Sequence, residues 1–77
     1  MIKLYSADWC TACNTLKRNI DTSSIEVVNV DHEPDETERM GIRSIPTMIK
    51  FNSDGEEVER ITGAISKDTF ERWVDGN

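Results

Sequence analysis

The sequence contains few cysteines, few cations and no long apolar run. Only two of its 77 residues are cysteine, so at most one disulfide can form within the chain, and small secreted domains held by disulfides normally carry more. No run approaches the roughly 20 apolar residues of a membrane-spanning helix. Nine Lys and Arg oppose 15 Asp and Glu, for a net charge of −6. This balance disfavours nucleic acid or an anionic membrane as partner, because phosphate binding needs clustered cations.

The amino-terminal residues also lack the features of a targeting segment. Residues 1–5 read MIKLY, without the apolar region and small-residue cleavage site of a signal peptide. The length fits one domain over residues 1–77. We therefore expect a small, acidic, monomeric protein of the cytoplasm.

Apolar periodicity and turn residues predict seven elements in the order β-α-β-α-β-β-α. The predicted strands cover residues 2–5, 25–30, 47–51 and 56–62, and the predicted helices cover residues 10–20, residues 35–40 and a segment that begins after its N-cap Ser66. The strand over 25–30 is rich in β-branched residues, and we expect it to be buried. The strand over 56–62 alternates imperfectly, which indicates an edge strand with a bulge.

The connections between these elements predict the sheet. A helix joins the first two strands, so they should be parallel, with a right-handed crossover. Residues 52–55 (NSDG) form a hairpin turn signal, so the last two strands should be antiparallel. The sequence therefore predicts an α/β fold with a mixed four-stranded sheet flanked by helices.

Cys10 and Cys13 lie where the first predicted strand gives way to the first helix. The unpaired N–H groups and partial positive charge of a helix N-terminus stabilise a thiolate, and such sites lower a thiol pKa from about 8.5 to about 3.5–7.5. One helical turn separates the two residues, so their sulfurs should lie close together. We expect an exposed, nucleophilic Cys10 and an inward-facing Cys13 that resolves a mixed disulfide, which is thiol–disulfide exchange.

Two other uses of the cysteine pair fit the sequence less well. A structural zinc ion normally takes four ligands, and the remaining soft or nitrogen ligands of note are His32 and the methionine thioethers. A zinc ion held within one chain is therefore disfavoured, whereas one shared between two copies stays open. Ordinary buried cysteines would not explain the location between strand and helix, which is typical of a redox motif.

A second feature is the proline that precedes the third predicted strand, in Ile45-Pro46-Thr47. Taken alone, it is either a rigid loop residue or the site of a cis peptide bond.

Together, several segments resemble those of the thioredoxin family, in the same order and over nearly the whole chain. They are residues 7–13 (ADWCTAC), 29–31 (NVD), 41–47 (GIRSIPT), 54–55 (DG) and 63–67 (GAISK). The resemblance implies a thioredoxin fold with strand order 2-1-3-4. It also implies that Cys10 is the attacking thiolate and Cys13 the resolving thiol.

The resemblance implies roles for four further residues. Trp9 is expected to shield the site and, as a half-exposed aromatic, to pack on the helix. Pro46, in cis, is expected to face the sulfurs and exclude metal. The backbone of Ile45 is expected to pair with an extended substrate strand, a form of β-augmentation, and Gly63 to leave room for the partner's chain.

The activity implied is that of a cytosolic protein-disulfide reductase and electron donor. Its partners would be protein disulfides and a recharging enzyme of the thioredoxin reductase type, with no cofactor beyond the Cys10–Cys13 dithiol. Three alternatives stay open: a glutaredoxin-like donor for ribonucleotide reductase, an oxidase or isomerase of the protein disulfide isomerase kind, and a non-catalytic binding module on the same fold.

The chain also departs from the family pattern. Leu4 and Val27 occupy the positions of a buried acid and its lysine partner in many thioredoxins, and Thr11-Ala12 replaces the usual Gly-Pro. The sequence begins at the first core strand, which suggests a layout closer to glutaredoxins. The loop before the last helix, residues 62–66 (TGAIS), lacks the glycine and acidic residue with which glutaredoxins bind glutathione.

Overall fold

A computed structural model describes residues 1–76 as one four-stranded sheet with three α-helices. The strands are β1 Ile2–Ser6, β2 Glu26–Asn29, β3 Thr47–Phe51 and β4 Glu57–Thr62, and the helices are α1 Thr11–Asn19, α2 Pro34–Arg39 and α3 Lys67–Asp75. The strand order is β2-β1-β3-β4. The predicted element order, mixed sheet and order 2-1-3-4 are confirmed. Thr22–Ser24, predicted as part of a turn, form a short 3₁₀ helix.

The register of the sheet also follows the prediction. β1 is parallel to β2 and antiparallel to β3, and β3 is antiparallel to β4. Lys50 pairs with Glu59 whereas Phe51 pairs with Glu57. β4 therefore contains one extra residue, Val58, which is the bulge that the imperfect alternation indicated.

Apolar side chains cover both faces of the sheet. On one face Leu4 and Met48 pack in a cluster with Leu16 of α1 and Phe70 of α3. On the other face a second cluster surrounds Tyr5 and is completed by side chains that follow α2. Burying each of the large aliphatic or aromatic side chains stabilises the fold by about 1.5–3 kcal/mol, so the three-layer arrangement follows from these two clusters.

The expectation of a buried strand over residues 25–30 was wrong. β2 lies at the edge of the sheet and pairs with β1. Val28 is buried, but Val27 is 42% exposed and Glu26 is also exposed. A β-branched run favours a strand without specifying whether both of its edges and faces are covered.

The helix ends are set by local hydrogen bonds. The Ser66 hydroxyl accepts a 3.1 Å hydrogen bond from the Thr69 N–H, which confirms the predicted N-cap. Ile65 and Phe70 lie in the same apolar cluster, as a hydrophobic staple requires.

Within residues 1–76, no helix combines the length and the apolar character needed to cross a membrane.

Candidate active site

Cys10 is the N-cap of α1, as its position in the sequence predicted. Its backbone is extended, and its sulfur accepts a hydrogen bond from the Cys13 backbone N–H, with 3.2 Å between Sγ and N. The Cys10 carbonyl accepts from the Asn14 N–H at 3.0 Å, which starts the helix. The sulfur therefore satisfies one of the free donors of the first turn, and a thiolate at this position gains from both that bond and the helix dipole.

Cys13 lies one turn later and is fully buried, as expected. The two cysteines are free thiols. The pKa of Cys13 rises from 9.0 to about 11. Burial is the main cause, and the hydrogen bond with Cys10 adds to the increase. Cys13 thus keeps its proton over the range in which ordinary thiols lose theirs.

Cys10 is less accessible than predicted. It is 6% exposed, whereas the sequence suggested an exposed nucleophile. Ala7, Cys10 and Cys13 form a small buried cluster against which Val30 and Ile45 pack. The difference arises because the loop before β3 folds over the start of α1, a long-range contact that the local sequence does not report.

This loop contains the cis peptide bond between Ile45 and Pro46, which confirms the conformation implied by the family resemblance. Pro46 is fully buried. Its carbonyl accepts a 2.9 Å hydrogen bond from the Gly63 N–H, and the Thr47 hydroxyl donates at 2.7 Å to the Ser44 carbonyl. The Ile45 carbonyl oxygen lies 3.9 Å from the Cys10 sulfur. The main chain before Pro46 therefore borders the sulfur.

Gly63 lies in the loop that follows β4. Its φ of +97° is in the region that favours glycine, and a Cβ added there would meet no atom within 4 Å. The space beside Gly63 is therefore open, and the backbone conformation is what favours glycine at this position.

Trp9 differs from its expected environment. It is 69% exposed rather than half-exposed, and its Nε1 donates a 2.8 Å hydrogen bond to Asp31 Oδ2, on the loop after β2. Its indole is thus fixed to a neighbouring loop. The sequence shows Asp31 only as the end of a motif, and a carboxylate three residues after the buried Val28 gives no local sign of this contact.

A groove of about 200 Å³ opens beside Trp9 and Ile45. Its lining comes from the loop before Cys10, the residue after β2, helix α2 and the segment before the cis peptide bond: Trp9, Val30, Thr37, Ile42, Arg43, Ser44 and Ile45. Sequence reasoning named Trp9 and Ile45 and missed the others. The family resemblance of residues 41–47 was the one signal that could have identified Ile42 and Arg43 as site residues.

Potential metal ligands are dispersed in the part of the chain that the structure describes. Between residues 1 and 76 it brings together no group of three or more His, Cys, Asp or Glu side chains that could hold a metal ion. His32 instead borders a separate groove along β2.

A protein-family model described as thioredoxin matches residues 1–76. Among curated proteins, thioredoxin from Chlamydia caviae is 36% identical over 77 residues, covering 91% of this chain and 74% of that protein. Thioredoxin from Porphyra purpurea is 41% identical over 73 residues, covering 84% of this chain and 67% of that protein.

Solved structures give the same result for the fold. A mutant thioredoxin from Halobacterium salinarum superposes with a TM-score of 0.86 at 26% identity, covering 96% of this chain and 70% of that one. A thioredoxin from Nicotiana alata gives a TM-score of 0.80 at 27% identity, with 95% and 68% covered. These relatives do not favour a glutaredoxin-like donor or a non-catalytic module.

Proposed function

The chain belongs to the thioredoxin family, whose members are protein thiol–disulfide oxidoreductases, and on that premise we propose that Cys10 and Cys13 are its reacting groups and reduce disulfides of other proteins. The chain is itself a thiol–disulfide oxidoreductase by family. The observation that carries the assignment of residues is the 3.2 Å hydrogen bond from the Cys13 N–H to the Cys10 sulfur at the start of α1.

In the first step the Cys10 thiolate attacks one sulfur of a substrate disulfide. A Cys10–substrate disulfide forms, the substrate S–S bond breaks, and the second substrate sulfur leaves as a thiolate that takes up a proton. The N–H groups at the start of α1 stabilise the attacking thiolate. The main chain of Ile45 pairs with the extended substrate beside the sulfur, Trp9 shields the site, and Gly63 leaves room for the partner's chain.

In the second step Cys13, as a thiolate, attacks the Cys10 sulfur. The Cys10–Cys13 disulfide forms and the mixed disulfide breaks, so that two electrons and two protons have passed to the substrate. Burial holds the Cys13 proton strongly, and the surrounding cluster is apolar. Cys13 therefore reacts only after its proton is removed in the mixed disulfide.

Thioredoxins use no cofactor beyond their redox-active cysteines, and enzymes of the thioredoxin reductase type recharge them. For this chain we extend the proposal to electron transport as a single-domain monomer in the cytoplasm. A reducing compartment keeps the two thiols free, and the net charge of −6 disfavours nucleic acid and anionic membranes as partners.

Reduction of insulin disulfides tests the proposal. The wild-type chain should accelerate the reaction with dithiothreitol, and both Cys10→Ser and Cys13→Ser should abolish turnover. Cys13→Ser alone should accumulate a mixed disulfide through Cys10, detectable by mass spectrometry. A wild-type rate equal to that of dithiothreitol alone, or a mixed disulfide that forms through Cys13 in Cys10→Ser, contradicts the assignment.

A further inference from the structure

The outer edge of β2 carries main-chain groups that β1 does not use. The Val30 N–H donates a 2.8 Å hydrogen bond to the Ser6 carbonyl of β1. The main-chain groups of successive strand residues point to opposite edges. Val28 therefore also faces β1, while Val27 and Asn29 face away from it.

The hydrogen bonds of Asn29 agree with this alternation. Its carbonyl accepts from the N–H groups of His32 and Glu33, each at 3.0 Å, in the turn beyond β2. The main-chain groups at this edge that no strand of the sheet uses are therefore the N–H and C=O of Val27 and the N–H of Asn29. The sheet formed by residues 1–76 ends at β2, so these three groups face the space where a further strand would lie.

A groove of about 430 Å³ runs beside this edge, on the side of the sheet that α2 covers. Three carboxylates line it, those of Glu26, Glu33 and Glu36. Lys3 is ion-paired with Glu36 at 3.1 Å and with Glu26 at 3.9 Å. Arg39 also acts electrostatically on Glu36, so three carboxylates face two cations and the groove keeps a net negative charge.

We propose that the β2 edge binds an extended, basic segment of a partner protein as an additional strand. The open main-chain groups supply the hydrogen bonds of β-augmentation, and the carboxylates supply the charge complementarity. A sheet edge left open is a template for strand addition. This surface is separate from the Cys10–Cys13 site, and its role does not depend on the redox activity.

The pleat of β2 specifies the pattern of that segment. Lys3 and Glu26 are register partners and form an ion pair, so Glu26 points to the α2 side of the sheet. Val27 points to the opposite side. A residue added next to Val27 should be apolar, and the residues on either side of it should be Lys or Arg that reach the groove. The expected motif is basic–apolar–basic.

A second copy of this chain fits the edge less well. It would bring its own Glu26 and its own charge of −6 against the same carboxylates, and like charges across an interface oppose association. A basic partner segment removes this repulsion, so we commit to it as the occupant.

The test uses the 77-residue chain and a seven-residue peptide of alternating Lys and Val. Binding should shift the amide NMR signals of Val27 and Asn29 and leave that of Gly55, in the β3–β4 turn, unchanged. Two peptides serve as controls: one with Glu in place of Lys, and one N-methylated on the main-chain nitrogens that would face β2. Neither should bind.

Two variants locate the surface. Glu33→Lys should weaken peptide binding by about tenfold or more, since like charges across an interface oppose association. The Glu33 side chain makes no cap hydrogen bond at α2, so this change removes no cap. Glu71→Lys makes the same charge change on exposed α3 and should leave the affinity within about twofold, the size of a screened long-range effect. Val27→Pro removes an outward N–H at an edge position where proline is tolerated and should also abolish binding.

Absence of binding at millimolar peptide would overturn the proposal and identify the edge charges as protection against strand pairing. Equal weakening by Glu33→Lys and Glu71→Lys, or binding that survives N-methylation, would overturn it as well, because attraction would then be unspecific. Self-association that shifts the Val27 and Asn29 signals without peptide would identify a second copy as the occupant instead.

Discussion

The indole Nε1 of Trp9 donates a 2.8 Å hydrogen bond to Oδ2 of Asp31, although 69% of Trp9 is exposed. The bond joins the loop before Cys10 to the loop after β2. An exposed aromatic loses little by rotating into solvent, so this single contact sets where the indole lies relative to the sulfur.

Asp31→Ala should therefore reduce activity more than stability. Loss of one exposed hydrogen bond changes the free energy of unfolding by about 0.5–1.5 kcal/mol or less, whereas a mobile indole no longer borders the groove beside Ile45. We expect kcat/KM for insulin disulfides to fall by about threefold to tenfold, which is about 0.7–1.4 kcal/mol. Steady-state kinetics and urea unfolding measure the two effects. Asp54→Ala, in the remote β3–β4 turn, is the matched control, and an equal loss of activity there would contradict the role of Asp31.

A partly buried hydrogen bond links the centre of the sheet to α2. Tyr5 Oη donates to Glu36 Oε2 at 2.6 Å, and Lys3 Nζ donates to the same oxygen at 3.1 Å. The Tyr5 bond, followed by that of Lys3, holds the pKa of Glu36 below 4.5. Because the folded chain favours the ionised carboxylate, this stabilisation is present above the ordinary pKa and is lost as the pH falls below it.

Tyr5→Phe should consequently destabilise the chain in a pH-dependent way. At about pH 7 we expect a loss of about 1.5–3 kcal/mol, the usual range for a hydrogen bond to a charged group. At about pH 3 the loss should be smaller, because a larger share of Glu36 is protonated there than at about pH 7 and only the ionised carboxylate strengthens the hydrogen bond from Tyr5. Urea unfolding of wild type and variant at both pH values measures the difference, and Glu36→Gln should show the same trend. A loss that is equal at both pH values would indicate packing rather than the charged hydrogen bond.

On the alkaline side the buried Cys13 lowers stability as the pH rises, and Tyr5, whose pKa burial also raises, adds to this at higher pH. Burial raises the pKa of Cys13 from 9.0 to about 11, so between these values the unfolded chain releases a proton that the folded chain retains. The free energy of unfolding should decrease as the pH rises from about 9 to about 11, by about 2–3 kcal/mol from this group. Unfolding of reduced wild type and Cys13→Ala across this range measures it.

The variant Cys13→Ala should lose less stability than wild type over the same pH interval. Leu16→Ala, a buried change without a titrating group, should lower stability by about 2–5 kcal/mol and leave the pH slope as in wild type. Parallel slopes for wild type and Cys13→Ala would mean that the Cys13 pKa is not raised by folding.

Local patterns predicted most of the fold and the placement of Cys10 and Cys13 at the start of α1. The helix start at Cys10, a bulge in β4 and the staple of Ile65 with Phe70 each depend on residues close in sequence, and all three were found. Burial was predicted less well, because it depends on which segments distant in the sequence pack over a residue.

The three differences have this common cause. The loop at Ile45 covers Cys10, the carboxylate of Asp31 holds Trp9, and the position of β2 at the edge exposes Val27. Ile45 and Asp31 each lie more than 20 residues from the residue that they contact. Val27 is exposed because no strand formed by residues 1–76 pairs with the outer edge of β2. No local periodicity reports either.

Leu4 and Val27 provide the last prediction. They are register partners in β1 and β2, so their side chains lie on the same side of the sheet. Many thioredoxins carry a buried acid and a lysine at these two positions. Leu4 is fully buried. Leu4→Asp should destabilise the chain by about 3–5 kcal/mol, because it leaves an uncompensated buried charge. Adding Val27→Lys should recover about 1–2 kcal/mol of that loss, since the ammonium lies on the adjacent strand within reach of the carboxylate.

A double-mutant cycle from urea unfolding measures this coupling. Leu4→Asn with and without Val27→Lys is the matched control, because it has a similar shape and carries no charge. If Val27→Lys recovers as much stability in the Asn background as in the Asp background, no ion pair has formed. Coupling confined to the Asp background would mean that the sheet accommodates the ion pair. The Leu4→Asp, Val27→Lys chain should then also resolve the Cys10 mixed disulfide faster than wild type at about pH 7, where a buried carboxylate can take up the Cys13 proton.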